Sequence, residues 1–465
     1  MARAKGVVEP LRPPSGKLPE AVDATCGGTE SAPGRWVTDV VLLGITAGLH
    51  LALLLVIFPN TREDFVLHGN LRLFFHDSGW TLAGAVPYRD FLFEYPPGSL
   101  LFMLVPHIFS VGFLRYRTLF FVESAVLDVI VVGALYAFAR GAKLSPVRPL
   151  VLYTLAVAAL GPLVIYRIDL APAALTTLAA LAWQRDRPAI AAVALAAGTA
   201  TKLYPLLLLP PLMMDQWLRG RARRIPAAAL AFAGSLAIFL SPAFLAGPEA
   251  LGYAVRFQTY RHLQVESIWA TPALLLHLAT GFALHMAARG RALVVLGPGD
   301  ALGQAGTAAL ALVVLVTYWG WWRLRRRPEA RDMALPIGTA TLVLSAAILS
   351  KVLSPQYLIW VMPPFALLPL RPRLTIAALA AFYVALPLTQ WIYPLHYGEL
   401  VQLLRPLPVA VLATRNIVLV LALATLLGAF WQLSRQNAVG SRQLRRTNCS
   451  SSQPDAVDQS RLVST

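Results

Sequence analysis

Arg89, Asp90, Glu94 and Tyr95 stand together in the stretch Pro87–Gly98, PYRDFLFEYPPG, just before an apolar segment. Such a knot of charge is costly in hydrocarbon unless it faces water or a substrate; as an ordinary wet loop it would only turn the chain. The same choice recurs at Arg167 and Asp169 (RID), Lys202 (KLYP), Arg261, Gln264 and Glu266 (QVES), Lys351, Gln356 and Tyr357 (SKVLSPQY), and Arg415 with Asn416. Arginine grips phosphate oxygens bidentately and lysine meets them as a point charge. Lys202 and Lys351 either snorkel to a membrane interface or join Arg167, Arg261 and Arg415 in binding an anionic head group. Asp169, just after Arg167 at a helix start, reads as a salt-bridge partner or N-cap. A carboxylate such as Asp64 or Asp90, held beside a phosphate site, has the chemistry of a general base on an acceptor hydroxyl. The aromatics Trp269, Tyr357, Trp360, Trp391 and Tyr393 suit either an interfacial belt or stacking on a sugar ring.

Other chemistries lack their residues. The spacings HExxH and GxSxG are absent, which leaves zinc-hydrolase and simple serine-hydrolase readings unsupported. The two cysteines, Cys26 and Cys449, lie in polar tails, so no cysteine metal cluster or disulfide framework is expected in the body. The expectation is no metal and no cofactor.

The elements that must position these residues are membrane helices. The chain is 57% hydrophobic and 14% charged, against roughly 25% charged in soluble domains. The formal charge of +17 suggests nucleic acid only until its positions are read. Arg219, Arg221, Arg223 and Arg224 form one cluster, and Arg323, Arg325, Arg326 and Arg327 another, both at ends of apolar segments. Cytoplasmic loops look like this under the positive-inside rule. No basic face with stacking platforms is visible, so nucleic acid is not an expected partner.

A spanning helix needs about 20 apolar residues, fewer where protein shields it. The candidates are 36–58, 117–139, 149–166, 170–184, 188–202, 204–218, 225–245, 303–324, 333–351, 355–370, 373–392 and 408–433. The predicted fold is an all-α polytopic membrane protein, a bundle of about 12 transmembrane helices. Two further apolar stretches, 96–114 and 271–288, break the charge pattern if they span. Each is therefore expected as a juxtamembrane or re-entrant helix on the outer side, the first entered through Pro96-Pro97. Residues 1–35 and 434–465 read as disordered cytoplasmic tails around a membrane domain at 36–433, with outer loops at 59–116 and 246–302. No cleavable signal peptide is expected; the segment from Trp36 is long enough to remain as an anchor. This threading puts every polar knot named above on one, extracytoplasmic face, which favours the phosphate reading of the cations.

In order, the motifs G-x-V-P-Y-R-D-F…E-Y-P-P, R-x-D-L-x-P, K-L-Y-P, Q-x-E-S, S-K-V-x-S-P-Q-Y-x-x-W and a late R-N resemble those of glycosyltransferase family 87, in the GT-C superfamily, over roughly residues 36–433. The resemblance implies a GT-C-like bundle with outer juxtamembrane helices. It implies an inverting transferase of the cell membrane that moves a sugar, typically mannose, from a polyprenyl-phosphate donor to a glycolipid or glycan acceptor outside the cytoplasm. It also implies a carboxylate base in the first outer loop.

One position departs from the family pattern. Family members carry an aspartate with an aromatic residue shortly after it, upstream of G-x-x-P-Y. Ungapped counting back from Gly84 puts Asn70 there, with Phe74 behind it. An amide is no base at neutral pH. The role then falls to Asp64, with His68 in the aromatic slot, or to Asp90, and the reading prefers Asp64. A transporter or flippase of a lipid-linked saccharide is the alternative function; it would need polar groups reaching both faces.

Overall fold

The computed structural model describes residues 32–61, 64–249, 252–253, 256, 261–289, 292–296 and 299–435. The expected tails, 1–35 and 434–465, fall largely outside these residues. The chain divides into two units, Met1–Leu42 and Leu43–Thr465. The described part of the first, 32–42, is helical.

The long apolar runs contain few helix breakers and fold as expected. They give α1 (Ala32–Ala52), α4 (Phe113–Gly141), α5 (Val147–Leu160), α9 (Ile225–Leu245), α11 (Gly299–Arg323), α12 (Arg331–Leu349), α14 (Arg373–Gln390) and α16 (Pro406–Arg435). With their short extensions, 8 helices among the described residues are long and apolar enough to cross a membrane. The other expected spans are helical but shorter: α6 (Leu170–Gln184), α7 (Pro188–Thr201), α8 (Leu209–Leu218) and α13 (Leu358–Ala366). Burial explains how they remain stable. Every residue of α13 is buried, and α6 and α7 are alanine-rich and packed in protein. Neighbouring helices, not their own length, shield their backbones.

Between the spans lie α2 (Asp64–Leu82), α3 (Ser99–Ile108), α10 (Thr271–Thr280) and α15 (Tyr397–Val401). The stretch expected to be a helix at 96–114 is one, beginning just after Pro96-Pro97, and Gly112 at φ +91° separates it from α4. The stretch at 271–288 is only partly helical. Gly281 ends α10 in the left-handed conformation, which glycine adopts without steric cost. The chain then forms a hairpin, β1 (Met286–Arg289) antiparallel to β2 (Ala292–Val295), with Met286 opposite Val295.

Inside the bundle, α1, α4 and α5 are pinned by a polar knot that is fully paired. His50 Nδ1 lies 2.5 Å from Asp128 Oδ2, and its Nε2 lies 2.8 Å from Thr154 Oγ1. The Tyr153 hydroxyl donates to Asp128 Oδ1 at 2.6 Å. Buried polar groups satisfied in this way fix helix register.

Candidate active site

The first motif folds as a turn that is docked at its far end. Tyr88 takes a positive φ of 69°, and Asp90 accepts the Val86 N–H at 2.7 Å while pairing with Arg89 at 2.8 Å. Both side chains are exposed. The Arg89 guanidinium and the Val86 N–H hold the Asp90 carboxyl down at about 2. Arg89 and Asp90 thus close on each other and shape the loop, apart from the cluster described next. At the other end, the Gly98 N–H donates to the Ala200 carbonyl at 2.9 Å. A Cβ at Gly98 would sit 2.7 Å from the Ala200 Cβ, so only glycine permits this approach. The contact brings Glu94 and Tyr95 to the C-terminal end of α7.

Lys202 caps that end in an extended conformation. Its ammonium lies 4.7 Å from the Tyr95 ring centre, 5.6 Å from Tyr357 and 5.8 Å from Trp360. It also lies 3.7 Å from Asp169 Oδ1, and Asp169 is 1% exposed. Asp169 occupies the N-cap position of α6 but makes no capping bond; its carboxylate accepts the Trp360 indole N–H at 2.7 Å. Trp360 is stacked between Tyr357 and Tyr204, at 4.0 and 4.5 Å. Of the two roles expected for Asp169, the structure shows the salt bridge, made with Lys202 and not with the nearby Arg167, while the N-cap position is held without a capping bond. Burial pushes the Asp169 carboxyl up, and Lys202, Trp360 and Arg167 oppose that rise.

Arg167 turns the other way. Its Nη2 donates to the Tyr393 hydroxyl at 2.6 Å, yet its Nε and Nη1 are buried with no hydrogen-bond partner among the described residues. Arg415, 1% exposed on α16, repeats the pattern. Its Nη2 donates to the Glu266 carbonyl at 3.1 Å, and its Nε and Nη1 have no partner among the described residues. Asn416 donates to Thr271 Oγ1 at 2.7 Å. The Glu266 carboxylate lies within the field of both arginines; its Oε2 accepts from Gln264 Nε2 at 2.7 Å and its Oε1 has no partner among the described residues. Burial raises Glu266 to about 7 against the pull of Arg415 and Arg167.

The two halves form one constellation, because Tyr95 also lies in the fields of Arg167, Asp169, Glu94 and Arg261. Lys351 joins through its backbone, accepting the Gln264 N–H at 3.0 Å, while its side chain lies against Gly303. Gln356 is held by Ser354 at 2.6 Å. Asp64 is the first residue of α2, but its side chain lies outside the described residues. From sequence, Trp360 and Tyr393 were read as an interfacial belt or as rings that stack on a sugar, and Tyr204 only as a motif member. Their pairing with Asp169, Arg167 and Thr176 is visible only in three dimensions. No group of three or more His, Cys, Asp or Glu that could hold a metal ion occurs among the described residues.

Buried guanidinium groups with unused donors suit an anion with several oxygens, and the aromatic walls suit a ring. The class is a multi-pass, all-α membrane protein with a buried cationic site. The chain belongs to glycosyltransferase family 87, whose model matches residues 93–350. Among solved structures, it is similar to ArnT from Cupriavidus metallidurans bound to undecaprenyl phosphate, at 14% identity and a TM-score of 0.42, over 91% of this chain and 82% of that one. The apo form of that protein is similar at 16% identity and a TM-score of 0.40, over 87% and 78%. No curated protein sequence matches.

Proposed function

We propose that this glycosyltransferase moves a sugar, mannose, from a polyprenyl-phosphate donor to a glycolipid or glycan acceptor on the extracytoplasmic side of the cell membrane. The observation that carries the reading is the pair Arg167 and Arg415, each buried with two guanidinium nitrogens that no group among the described residues uses. A donor phosphate would meet those nitrogens, with Lys202 and Arg261 adding positive charge and Tyr95, Tyr357 and Trp360 offering ring faces. The acceptor oxygen attacks the anomeric carbon opposite the phosphate. The carbon–oxygen bond to phosphate breaks, its electron pair leaves on the phosphate, and a carboxylate takes the acceptor proton. Single displacement inverts the centre. Asp64 is the preferred base, because Asp90 is a weak base tied to Arg89. The arginine clusters at 219–224 and 323–327 support the side chosen. α11 starts beside Lys351 and ends at Arg323, and α16 carries Arg415 near its start and Arg435 at its end.

Membranes containing the protein, given radiolabelled polyprenyl-phosphate-mannose, should transfer label to an endogenous lipid or glycan. Arg167→Ala and Arg415→Ala should each lower donor affinity by about tenfold or more, the loss expected for a charge-assisted contact. Wild-type affinity in both variants would sink the phosphate assignment. Saccharide movement across vesicles without label transfer would favour a flippase.

A further inference from the structure

The ends of α11 and α16 farthest from the site carry a second cationic arrangement. Trp319, Trp322, Arg323, Arg325, Arg326 and Ser434 line a cavity of about 230 Å³. The Arg323 guanidinium lies 5.2 Å from the Trp319 ring centre and 5.1 Å from that of Trp431, and the two rings are 4.9 Å apart. Arg325 stacks on Trp322 at 3.5 Å, and Arg435 lies 4.6 Å from the Trp431 ring centre. These ring contacts hold the cations in place without neutralising them. The neighbouring acids are committed elsewhere: Glu329 pairs with Arg327 at 3.1 Å and Asp332 with Arg219 at 3.3 Å. Arg323 Nε is buried with no hydrogen-bond partner among the described residues.

The α11 surface leading to this cavity identifies the ligand. Leu312, Leu315, Val316 and Trp319 are exposed at helical spacing, at 62%, 64%, 36% and 47%. They form an apolar track that ends at the arginines. A lipid with its acyl chain on that track would have its head group at the cavity, where tryptophan and arginine meet a bilayer interface.

We propose that the cavity between Trp319, Trp322, Arg323 and Arg326 binds the phosphate of an anionic phospholipid in the leaflet at that end of the bundle. The site is separate from the one that contains Arg167 and Arg415, so it stands or falls independently of the transfer reaction. Free phosphate shares the chemistry but gains nothing from the apolar track.

Thermal unfolding and native mass spectrometry of the purified full chain in detergent test this, with phosphatidylglycerol, phosphatidylcholine and inorganic phosphate as probes. Phosphatidylglycerol should bind saturably and raise the unfolding temperature. Inorganic phosphate at the same concentration should do neither. Arg325 and Arg326 are exposed, so the double variant Arg325→Gln/Arg326→Gln should fold and bind phosphatidylglycerol about tenfold more weakly. Arg323→Gln should weaken it as well. Equal binding of phosphatidylcholine, equal binding of inorganic phosphate, or unchanged phosphatidylglycerol affinity in the double variant would each overturn the proposal.

Discussion

Lys202 and Asp169 form a buried pair, 3.7 Å apart with side chains 12% and 1% exposed. Lys202 was expected to be either a snorkelling lysine or a phosphate ligand. The structure gives it a protein partner that neither reading included. Lys202→Ala would take the ion-pair partner from the buried Asp169 carboxylate, leaving it the Trp360 indole and the more distant field of Arg167. Breaking one side of a buried pair costs about 3–5 kcal/mol. Lys202→Ala should therefore lower the unfolding temperature as well as donor affinity, and Lys202→Met/Asp169→Asn should recover much of the stability. If the single variant is as stable as wild type, the pair contributes nothing to the fold.

Gly98 is where the first loop meets the bundle. A Cβ there would lie 2.7 Å from the Ala200 Cβ and 2.9 Å from the Ala200 carbonyl oxygen. Backbone cannot move out of the way as a flexible side chain can, so Gly98→Ala should break the Gly98–Ala200 hydrogen bond and move Tyr95 from Lys202. Transfer should fall sharply, with easier proteolysis between Leu82 and Ser99. Gly84→Ala provides a control: nothing lies within 4 Å of its added Cβ, although φ is +95° and carries backbone strain. Greater loss of activity in Gly84→Ala than in Gly98→Ala would contradict the docking role.

Glu266 should make donor binding depend on pH. Its folded-state value, about 7, lies above the ordinary carboxylate range because of burial. A group raised in this way favours the folded state below its unfolded value, and that advantage is lost as pH rises through about 7. Ionisation also adds negative charge beside Arg167 and Arg415. A donor phosphodiester keeps one charge throughout, so its affinity should fall several-fold as pH rises through this window. Glu266→Gln should flatten both the affinity and the stability profiles, and should be the more stable form at alkaline pH. Identical pH profiles for variant and wild type would remove Glu266 from the site's electrostatics.

The membrane helices and the polar knots between them were legible in the sequence because each rests on a local signal: an apolar run, or a charge where charge is costly. The short helices α6, α7 and α13 were legible for the same reason, although what shields them is their neighbours. The second half of 271–288 was misread because an apolar composition does not separate a short helix from a hairpin; Gly281 was the only break in it. Partnerships were the least legible. Asp169 was read as a salt-bridge partner or N-cap from its place just after Arg167, whereas Lys202 and Trp360 reach it across the fold. The orphaned donors of Arg167 and Arg415 have no sequence signature at all, since they are defined by what fails to pack against them.

The carboxylate that takes the proton is the sharpest remaining test of mechanism. Asp90 is exposed, paired with Arg89 and bonded to the Val86 N–H, and its carboxyl is held near 2. At neutral pH so weak a base accepts a proton poorly, and general-base efficiency falls with basicity. Asp90→Asn should therefore act through the turn, lowering stability with at most a modest effect on turnover. Asp64→Asn keeps the shape and removes the base, so turnover should fall by about 10²–10⁴-fold with donor binding intact. Asn70→Asp, which restores an aspartate at the position suggested by the family pattern, should rescue an Asp64→Asn background only if the two positions reach the same acceptor. Near-normal turnover in Asp64→Asn, with loss in Asp90→Asn at unchanged donor affinity, would reverse the assignment. Unchanged turnover in both would remove the first-loop carboxylates from the mechanism.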